Sequence, residues 1–575
     1  MIKILKDLKQ FKKPILLIIV FTLLQTLSEL FLPTLMSDIV DKGITNENIP
    51  YIINLGIVMF LVAGIGSLCA VSSSYYSAKT SSGLSMRLRQ KIFSKVEHMS
   101  LKRFDEIGTA SLITRTTNDV TQIQNVLVMM LRVMIRAPLM AVGAIIMAVY
   151  KNPSLSITLL FAVVCLAIVI AGIATKALPL SKSMQLKLDH LNLVLRERLT
   201  GMRVIRAFNN DAYEKNRFRK ANTDLTQTAI RLNKIMALLM PLIMLIFNMT
   251  TIAIIWVGSF KINYGVLEVG DLMAFIQYAM QIMFSLLMLT MMFVMLPRAS
   301  VSASRINEVL QKETEIKELN QPLNLDDNKG TLTFKDVSFK FDEAEDNAIN
   351  KVSFETKPGE ITAIIGGTGS GKSTLVNLIM RFYDITKGSI KIGDADIRQI
   401  SQKALRNRIG YVPQKSILFT GTILENIKFG SADISDEEAI HAAEIAQASE
   451  FIDDMKDGYN SEIAQGGRNL SGGQKQRLSI ARALAKKPEI YIFDDSFSAL
   501  DFKTEAKLRH QLKEEVKDAA VLIVAQRVAS VLNADQIIVL DKGSVAGIGT
   551  HKELLNTCEV YKQIVTSQLA EEEWA

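Results

Sequence analysis

The sequence predicts a multidomain chain: an all-α domain of six membrane-spanning helices, followed by a soluble α/β domain. Three observations predict it. The composition is both too apolar and too charged for one compartment. Six long apolar runs fall before residue 300, and beyond residue 330 short β-type runs alternate with helical segments. Apolar residues make up 49% of the 575 and charged residues 22%, which suits a chain divided between lipid and water. The length exceeds one ordinary core, since domains run to roughly 100–200 residues. The apolar content excludes disorder, and three cysteines exclude a disulfide scaffold. A net charge of +8 is small for this length and calls for no nucleic acid; its placement suits a membrane surface.

The apolar runs lie at about 14–35, 52–75, 126–150, 155–177, 235–260 and 272–296. Each reaches the roughly 20 residues that a helix needs to cross about 30 Å of hydrocarbon. The first is too long for a signal-peptide core and lacks a small-residue cleavage pattern, so it is a span. Residues 1–13 place Lys3, Lys6, Lys9, Lys12 and Lys13 against Ile2, Ile4, Leu5, Leu8 and Phe11, the pattern of an interfacial elbow helix resting on membrane lipids, with a solvated basic N-terminus as the alternative. The membrane domain is therefore expected over 14–297. Loops 41–51, 151–154 and 261–271 are short, whereas 77–125 and 178–234 are long and basic. Positive-inside reasoning puts the N-terminus and both long loops in the cytoplasm, with the chain in the cytoplasmic membrane. Apolar residues from Leu191 to Ile205 recur at helical spacing, so the spanning helices are expected to continue into the cytosol.

Charges within the spans are few: Glu29, Arg132 and Arg136. A charge at bilayer depth points to function. Glu29 either attracts a cationic ligand or faces a wet cavity, and the two arginines either serve function or snorkel from the inner end of their helix. The last two spans are crowded with methionine, with Phe284 and Met288 near Gln277 and Gln281 on the sixth. Soft side chains suit a surface that repacks around many ligands, and equally suit ordinary helix packing. Glu29, Gln277, Gln281, Phe284 and Met288 are the candidate substrate-cavity residues.

Residues 298–329 read as a linker, with a helical piece ending near Gln311, and 330–575 as the soluble domain. A strand from Glu360 to Ile365 runs into Gly366, Gly367, Thr368, Gly369, Ser370, Gly371, Lys372, Ser373 and Thr374. This is the phosphate-loop pattern G-x-x-x-x-G-K-[ST]. Its glycines let backbone N–H groups face phosphate oxygens, Lys372 balances β/γ charge, and the Ser373 hydroxyl reaches Mg²⁺. A second apolar strand, 490–493, ends in Asp494 and Asp495. A carboxylate beside a phosphate loop is where a P-loop NTPase holds Mg²⁺. Asp494 is the candidate metal residue and Asp495 the candidate for orienting the attacking water. Between these motifs, Leu470, Ser471, Gly472, Gly473 and Gln474 open a helix over 474–484 and form an anion-type N-terminus.

With that string the chain resembles the ABC exporters, six spans fused to one nucleotide-binding domain, over nearly its whole length. The resemblance implies ATP and Mg²⁺ as cofactors. It makes Leu470–Gln474 the signature motif, which closes over ATP held on a second subunit. Gln414, in Tyr411-Val412-Pro413-Gln414, becomes the Q-loop residue on Mg²⁺. Phe341 becomes the adenine-stacking aromatic, Asp501 the D-loop residue, and 104–119 and 201–213 the coupling regions. Two departures stand out. The family's catalytic Glu is here Asp495, and its switch His is here Gln526. Asp reaches about 1.5 Å less than Glu, and an error near 1 Å can cost about 10²-fold in rate. Gln526 donates a hydrogen bond but carries no charge. An impaired site beside an intact signature resembles the degenerate-site subunit of bacterial heterodimeric multidrug ABC exporters. The implied partner is a homologous half-transporter, and the implied substrates are amphipathic small molecules, often cationic drugs or dyes. Lipid or peptide export, or a nucleotide-gated channel or regulatory subunit, are the alternatives.

Overall fold

The computed structural model describes residues 6–312, 316, 319, 323, 330–342, 344–431 and 433–568, and the side chains of all of these but 291–294, 297 and 502. The chain divides into two compact units: Met1–Glu97 with Gly108–Lys312, and His98–Ile107 with Glu313–Ala575.

The first unit holds six helices long and apolar enough to span a membrane: Lys6–Ile44, Ile49–Glu97, Thr109–Lys151, Pro153–Thr200, Asp211–Asn263 and Val269–Thr290. Ile49–Glu97 has 49 residues. At about 1.5 Å per residue that is roughly 73 Å, over twice the hydrocarbon thickness. The continuation of the second span is thus uninterrupted helix, as is that of the fourth, Pro153–Thr200. Two expectations shift. The elbow is a 3-10 turn, Lys6–Phe11, ahead of the helix Lys12–Asp38. Arg87 stacks on the Phe11 ring and Lys91 pairs with Asp7 at 2.8 Å, so this turn docks on the second helix. Residues 1–5 lie outside the described residues. Residues 298–311 are not linker: the sixth helix runs unbroken over Val269–Gln311, and most of 312–329 lies outside the described residues.

Small residues set the packing of this unit. Ala144, Ala148, Ala274 and Ala279 are buried together with Leu30, Phe275 and Tyr278, and small side chains let helices approach where lipid offers no hydrophobic drive. Tyr278 satisfies its hydroxyl on Thr34 Oγ1 at 2.7 Å and Leu30 O at 3.1 Å. Phe60, Leu68, Leu160 and Trp256 are 65–80% exposed, the surface that lipid covers.

In the second unit a six-stranded sheet runs Ser544–Gly549, Gln536–Asp541, Ile361–Gly366, Ala520–Val524, Ile490–Asp494, Ile409–Val412, all parallel except the first. A four-stranded antiparallel sheet runs Ile349–Thr356, Leu332–Phe339, Lys387–Ile392, Ala395–Asp396. Alternation along Ile490–Asp494 shows why one strand serves two cores. Tyr491 and Phe493 join the cluster with Leu478 and Ile480, while Ile490 and Ile492 join that of Phe334, Leu375 and Leu378.

At the outer ends of the first, third and sixth spans, Lys151 pairs with Asp271, whose carboxylate also accepts Ser37 Oγ at 2.7 Å, and Gly270 N donates to Asp41. Lys151 and Asp271 are only 15% and 22% exposed. Lys151→Met leaves a partly buried carboxylate unmatched, at about 1–3 kcal/mol. The detergent-solubilised protein should melt at a lower temperature, and adding Asp271→Asn should restore part of the loss. An unchanged melting temperature for Lys151→Met would show that the network does not hold these helices.

Candidate nucleotide site

The phosphate loop is shaped by backbone crowding. A Cβ on Gly366 would lie 2.3 Å from the Leu540 carbonyl oxygen, and one on Gly371, at φ +100°, 2.7 Å from Ile349. Only glycine fits at either place. At Gly367 a Cβ would meet nothing within 4 Å, so the outer side of the loop is open. Lys372 turns back over it, donating to Gly366 O at 2.7 Å and Gly367 O at 2.8 Å. Ser370 is buried, and its hydroxyl finds no partner among the described residues. The helix Lys372–Ile379 begins here, with Ser373 exposed and Thr374 half-buried. An open glycine cradle with a lysine and a helix N-terminus fits a phosphate chain.

Asp494 ends the strand Ile490–Asp494 and is buried. Burial, with the Asp495 charge, pushes its carboxyl up to about 6, against the pull of Lys372. Burial likewise lowers the pKa of Lys372, which both carboxylates oppose. Asp495 has φ +48°, the left-handed region that Asp tolerates better than most residues. Its N–H donates to Val524 O at 2.8 Å, and its Oδ2 accepts Gln414 Nε2 at 3.2 Å. The structure thus gathers Lys372, Asp494, Asp495 and Gln414 at one edge of the sheet. An oxygen-only set of Ser373, Gln414 and Asp494 suits Mg²⁺, which prefers hard oxygen ligands and keeps several waters.

The remaining predicted residues stand in their own local structures. Phe341 is 39% exposed and packs edge-on against Phe339 and Tyr383. Leu470 is buried in the core. The signature helix is Gly472–Ala485, two residues earlier than expected, because Ser471 caps it. Ser471 Oγ accepts Gln474 N, while Gln474 Oε1 accepts Ser471 N at 2.8 Å. A Cβ on Gly473 would come 3.2 Å from Ala499 O, but one on Gly472 would meet nothing. Asp501 caps the helix Phe502–Glu515 through Thr504, and those bonds hold its carboxyl below the usual range. Neither Ser471 nor Gly472 bonds the phosphate loop among the described residues. Gln526 is exposed. Its carbonyl accepts Gln568 Nε2 at 2.9 Å, and Gln568 Oε1 accepts Val528 N at 2.8 Å. Sequence reasoning misses this clamp, since a glutamine 42 positions away carries no local signal.

In the membrane unit, Glu29, Gln277, Gln281, Phe284 and Met288 line one cavity of about 410 Å³. Glu29 is not free to meet a cation. Arg136 Nη2 reaches both its carboxylate oxygens at 2.7 and 2.8 Å, and Gln25 donates to it at 2.9 Å. Arg136 therefore turns to Glu29 rather than snorkelling.

Six spans joined to a phosphate-loop α/β domain define an ATP-dependent membrane transporter. Residues 15–314 match the family model for the ABC transporter transmembrane region, and residues 349–498 the model for ABC transporter. The chain belongs to the ABC transporter family, as an exporter-type half-transporter with the membrane and ATP-binding domains fused. It is 39% identical, over 98% of its length and 97% of the relative's, to an uncharacterized ABC transporter ATP-binding protein of Mycobacterium tuberculosis (strain CDC 1551 / Oshkosh). It is 39% identical to YfiB of Bacillus subtilis (strain 168), another uncharacterized ABC transporter ATP-binding protein, over 95% and 94% of the two chains. A bacterial Atm1-family ABC exporter solved with ATP bound matches with a TM-score of 0.80 at 26% identity, over 97% of this chain and 99% of that one.

Crowding and charge make separable contributions at the loop. Lys372→Ala should keep the melting temperature of the protein but abolish the rise that ATP and Mg²⁺ produce. Gly371→Val, strained by its φ and by Ile349, should lower the melting temperature without ligand, by about 1–3 kcal/mol of stability. Thermal melts of both variants with and without ATP check this, and equal behaviour of the two would refute it.

Proposed function

We propose that this chain is one half of a heterodimeric ABC exporter that moves amphipathic compounds outward across the cytoplasmic membrane at the expense of ATP. Its own ATP site is slow, and its signature motif completes the partner's fast site. The carrying observation is the mismatch between the two faces of the ATP-binding domain. The signature face is well built, with Ser471 and Gln474 closing the capping box and Gly472 left clear. The catalytic face carries an aspartate, one methylene short, already engaged by Gln414, and an uncharged Gln526.

In this reading Phe341 stacks on adenine and the loop 366–374 holds the phosphates. Ser373, Gln414 and Asp494 hold Mg²⁺, which neutralises phosphate charge when bound. Asp495 positions water poorly, and Gln526 offers the γ-phosphate a neutral donor. A general base must stand about 2.6–3.2 Å from its water, so a shortened carboxylate loses rate more than affinity. One further feature supports a partner, and one supports export. The cytoplasmic helix Met202–Ala207 carries Val204 60% exposed and is followed by Phe208 80% exposed. Apolar groups clustered beyond the lipid mark a protein interface. The relative from Rickettsia bellii, 31% identical over 98% of this chain, is itself described as a putative export ATP-binding/permease protein.

The decisive measurement is ATPase activity of the reconstituted pair. Asp495→Asn removes a poor base and should cost less than about twofold. Gly472→Asp puts a charge beside the partner's γ-phosphate and should cost at least about 10²-fold, the scale of losing one preorganised contact to the reacting group. If Asp495→Asn were as damaging as Glu→Gln at the matching place of the partner, both sites would be equivalent and this reading would fall. Hydrolysis by this chain alone at the rate of the pair would overturn it as well.

The apolar tip makes its own prediction. Phe208→Asp should leave ATP binding intact but lower the stimulation of ATPase by transported compounds at least about tenfold, as expected for losing a buried aromatic anchor. Full stimulation in that variant would remove Phe208 from the interface.

A further inference from the structure

In this chain's half of the membrane cavity, one positive charge has no partner among the described residues. Arg132 and Arg136 stand one turn apart on the helix Val120–Lys151, so their side chains share a face. Arg136 is used up by Glu29, whose carboxylate also accepts Gln25. Arg132 has no hydrogen-bond or ion-pair partner among the described residues. It lines a second cavity of about 320 Å³ with Thr22, Gln25, Ser73 and Asn125. Arg136 and Met288 border both this cavity and the one of about 410 Å³. The two are therefore neighbouring parts of one surface: an apolar part at Phe284, Met280 and Met140, and a polar part at Arg132. One carboxylate faces two guanidinium groups, and the field that remains is positive.

We infer that the exported amphipath carries an anionic head group, a carboxylate, phosphate or sulfonate, which Arg132 receives while the apolar body lies against Phe284 and Met288. The inference rests on the export reading above and names its substrate class. A guanidinium presents paired N–H donors that match two oxygens of a flat carboxylate or of a tetrahedral phosphate or sulfonate. Arg132 is exposed and has no partner among the described residues, so an incoming oxyanion meets its charge directly. A cationic head would meet repulsion from the same guanidinium. Arg132 lies about 28 Å along its helix from Lys151, at about 1.5 Å per residue, near the inner edge of the hydrocarbon. An acidic head group arrives at that depth either on a soluble conjugate or on a phospholipid.

The test uses the assembled transporter in inverted proteoliposomes. Uptake is followed for a sulfonated rhodamine and for a cationic rhodamine of similar body, and outward movement of a fluorescent phosphatidylglycerol by dithionite quenching. ATP-dependent movement of the sulfonated dye, or of the phosphatidylglycerol, over the cationic dye is expected, and which of the two moves identifies the source of the head group. Arg132→Gln should lower kcat/KM for the anionic probe at least tenfold, mainly through KM, and Arg132→Lys should recover most of it. Arg132→Glu should shift preference toward the cationic dye. Selective movement of the cationic dye by the unaltered protein, or anionic transport within twofold of normal in Arg132→Gln, overturns the inference while leaving export intact. No ATP-dependent movement of any probe overturns the export reading, and this inference with it.

Discussion

The parallel register of four strands is the constraint on which the ATP-binding half depends. Gly366 lies opposite Leu540, and Val524 lies opposite both Ile364 and Asp494. The phosphate loop, the turn at Ala525–Gln526 and the Asp494–Asp495 pair therefore leave the sheet at one edge, the carboxyl ends where open α/β sheets bind ligands. A slip of one residue would turn Tyr491 and Phe493 to the wrong core and move Asp494 by about 3.3 Å. That exceeds the roughly 1 Å that chemistry tolerates. Packing of two apolar clusters thus fixes a polar geometry in which the side chains themselves take little part.

The signature string shows how folding and binding share residues. Leu470 belongs to the core, Ser471 and Gln474 cap a helix, and Gly473 yields to the Ala499 carbonyl. All four are accounted for within one domain. Gly472 alone has no local reason to be glycine, since a Cβ there would meet nothing. An unforced glycine at a capped helix N-terminus leaves the helix N–H groups open to an anion from outside. The same logic separates the two departures at the catalytic face. Asp495 is held by its own N–H on Val524 and by Gln414 on its carboxylate. Gln526 has its backbone clamped by Gln568 while its side chain stays exposed. Under the proposed reading, their placement survives and their chemistry is weakened.

What the sequence makes legible is what local spacing encodes. Twenty-residue apolar runs report bilayer thickness, and alternation between strand and helix reports the α/β layer, so both domains can be read directly. The phosphate loop can be read because glycines there answer backbone crowding within a few residues. Pairings across long separations cannot. Nothing near Glu29 announces Arg136, 107 positions on, nor does Gln568 announce its turn. The segment His98–Ile107 reads as part of a long membrane-domain loop, yet it clusters with the ATP-binding unit, where Lys102 pairs with Asp342. The 3-10 turn Lys6–Phe11 is equally hidden, because its geometry comes from Phe11 meeting Arg87.

Charge in the membrane half obeys a different economy from shape. The cost of leaving a carboxylate unpaired at depth draws Arg136 onto Glu29, so the cavity's field depends on Arg132, the charge left over. The apolar wall is adaptable, since methionine and exposed phenylalanine repack easily. A fixed charge beside a soft wall discriminates by sign and tolerates variety in shape, which is the selectivity a broad exporter needs. Under the proposed pairing, the partner supplies the facing wall as it supplies the facing catalytic carboxylate. Once the two chains differ, neither the cavity nor the pair of ATP sites is held to two-fold symmetry. Divergence at Asp495 and Gln526 and an unbalanced arginine at 132 then have one origin, the loss of the requirement that each surface complement its own copy.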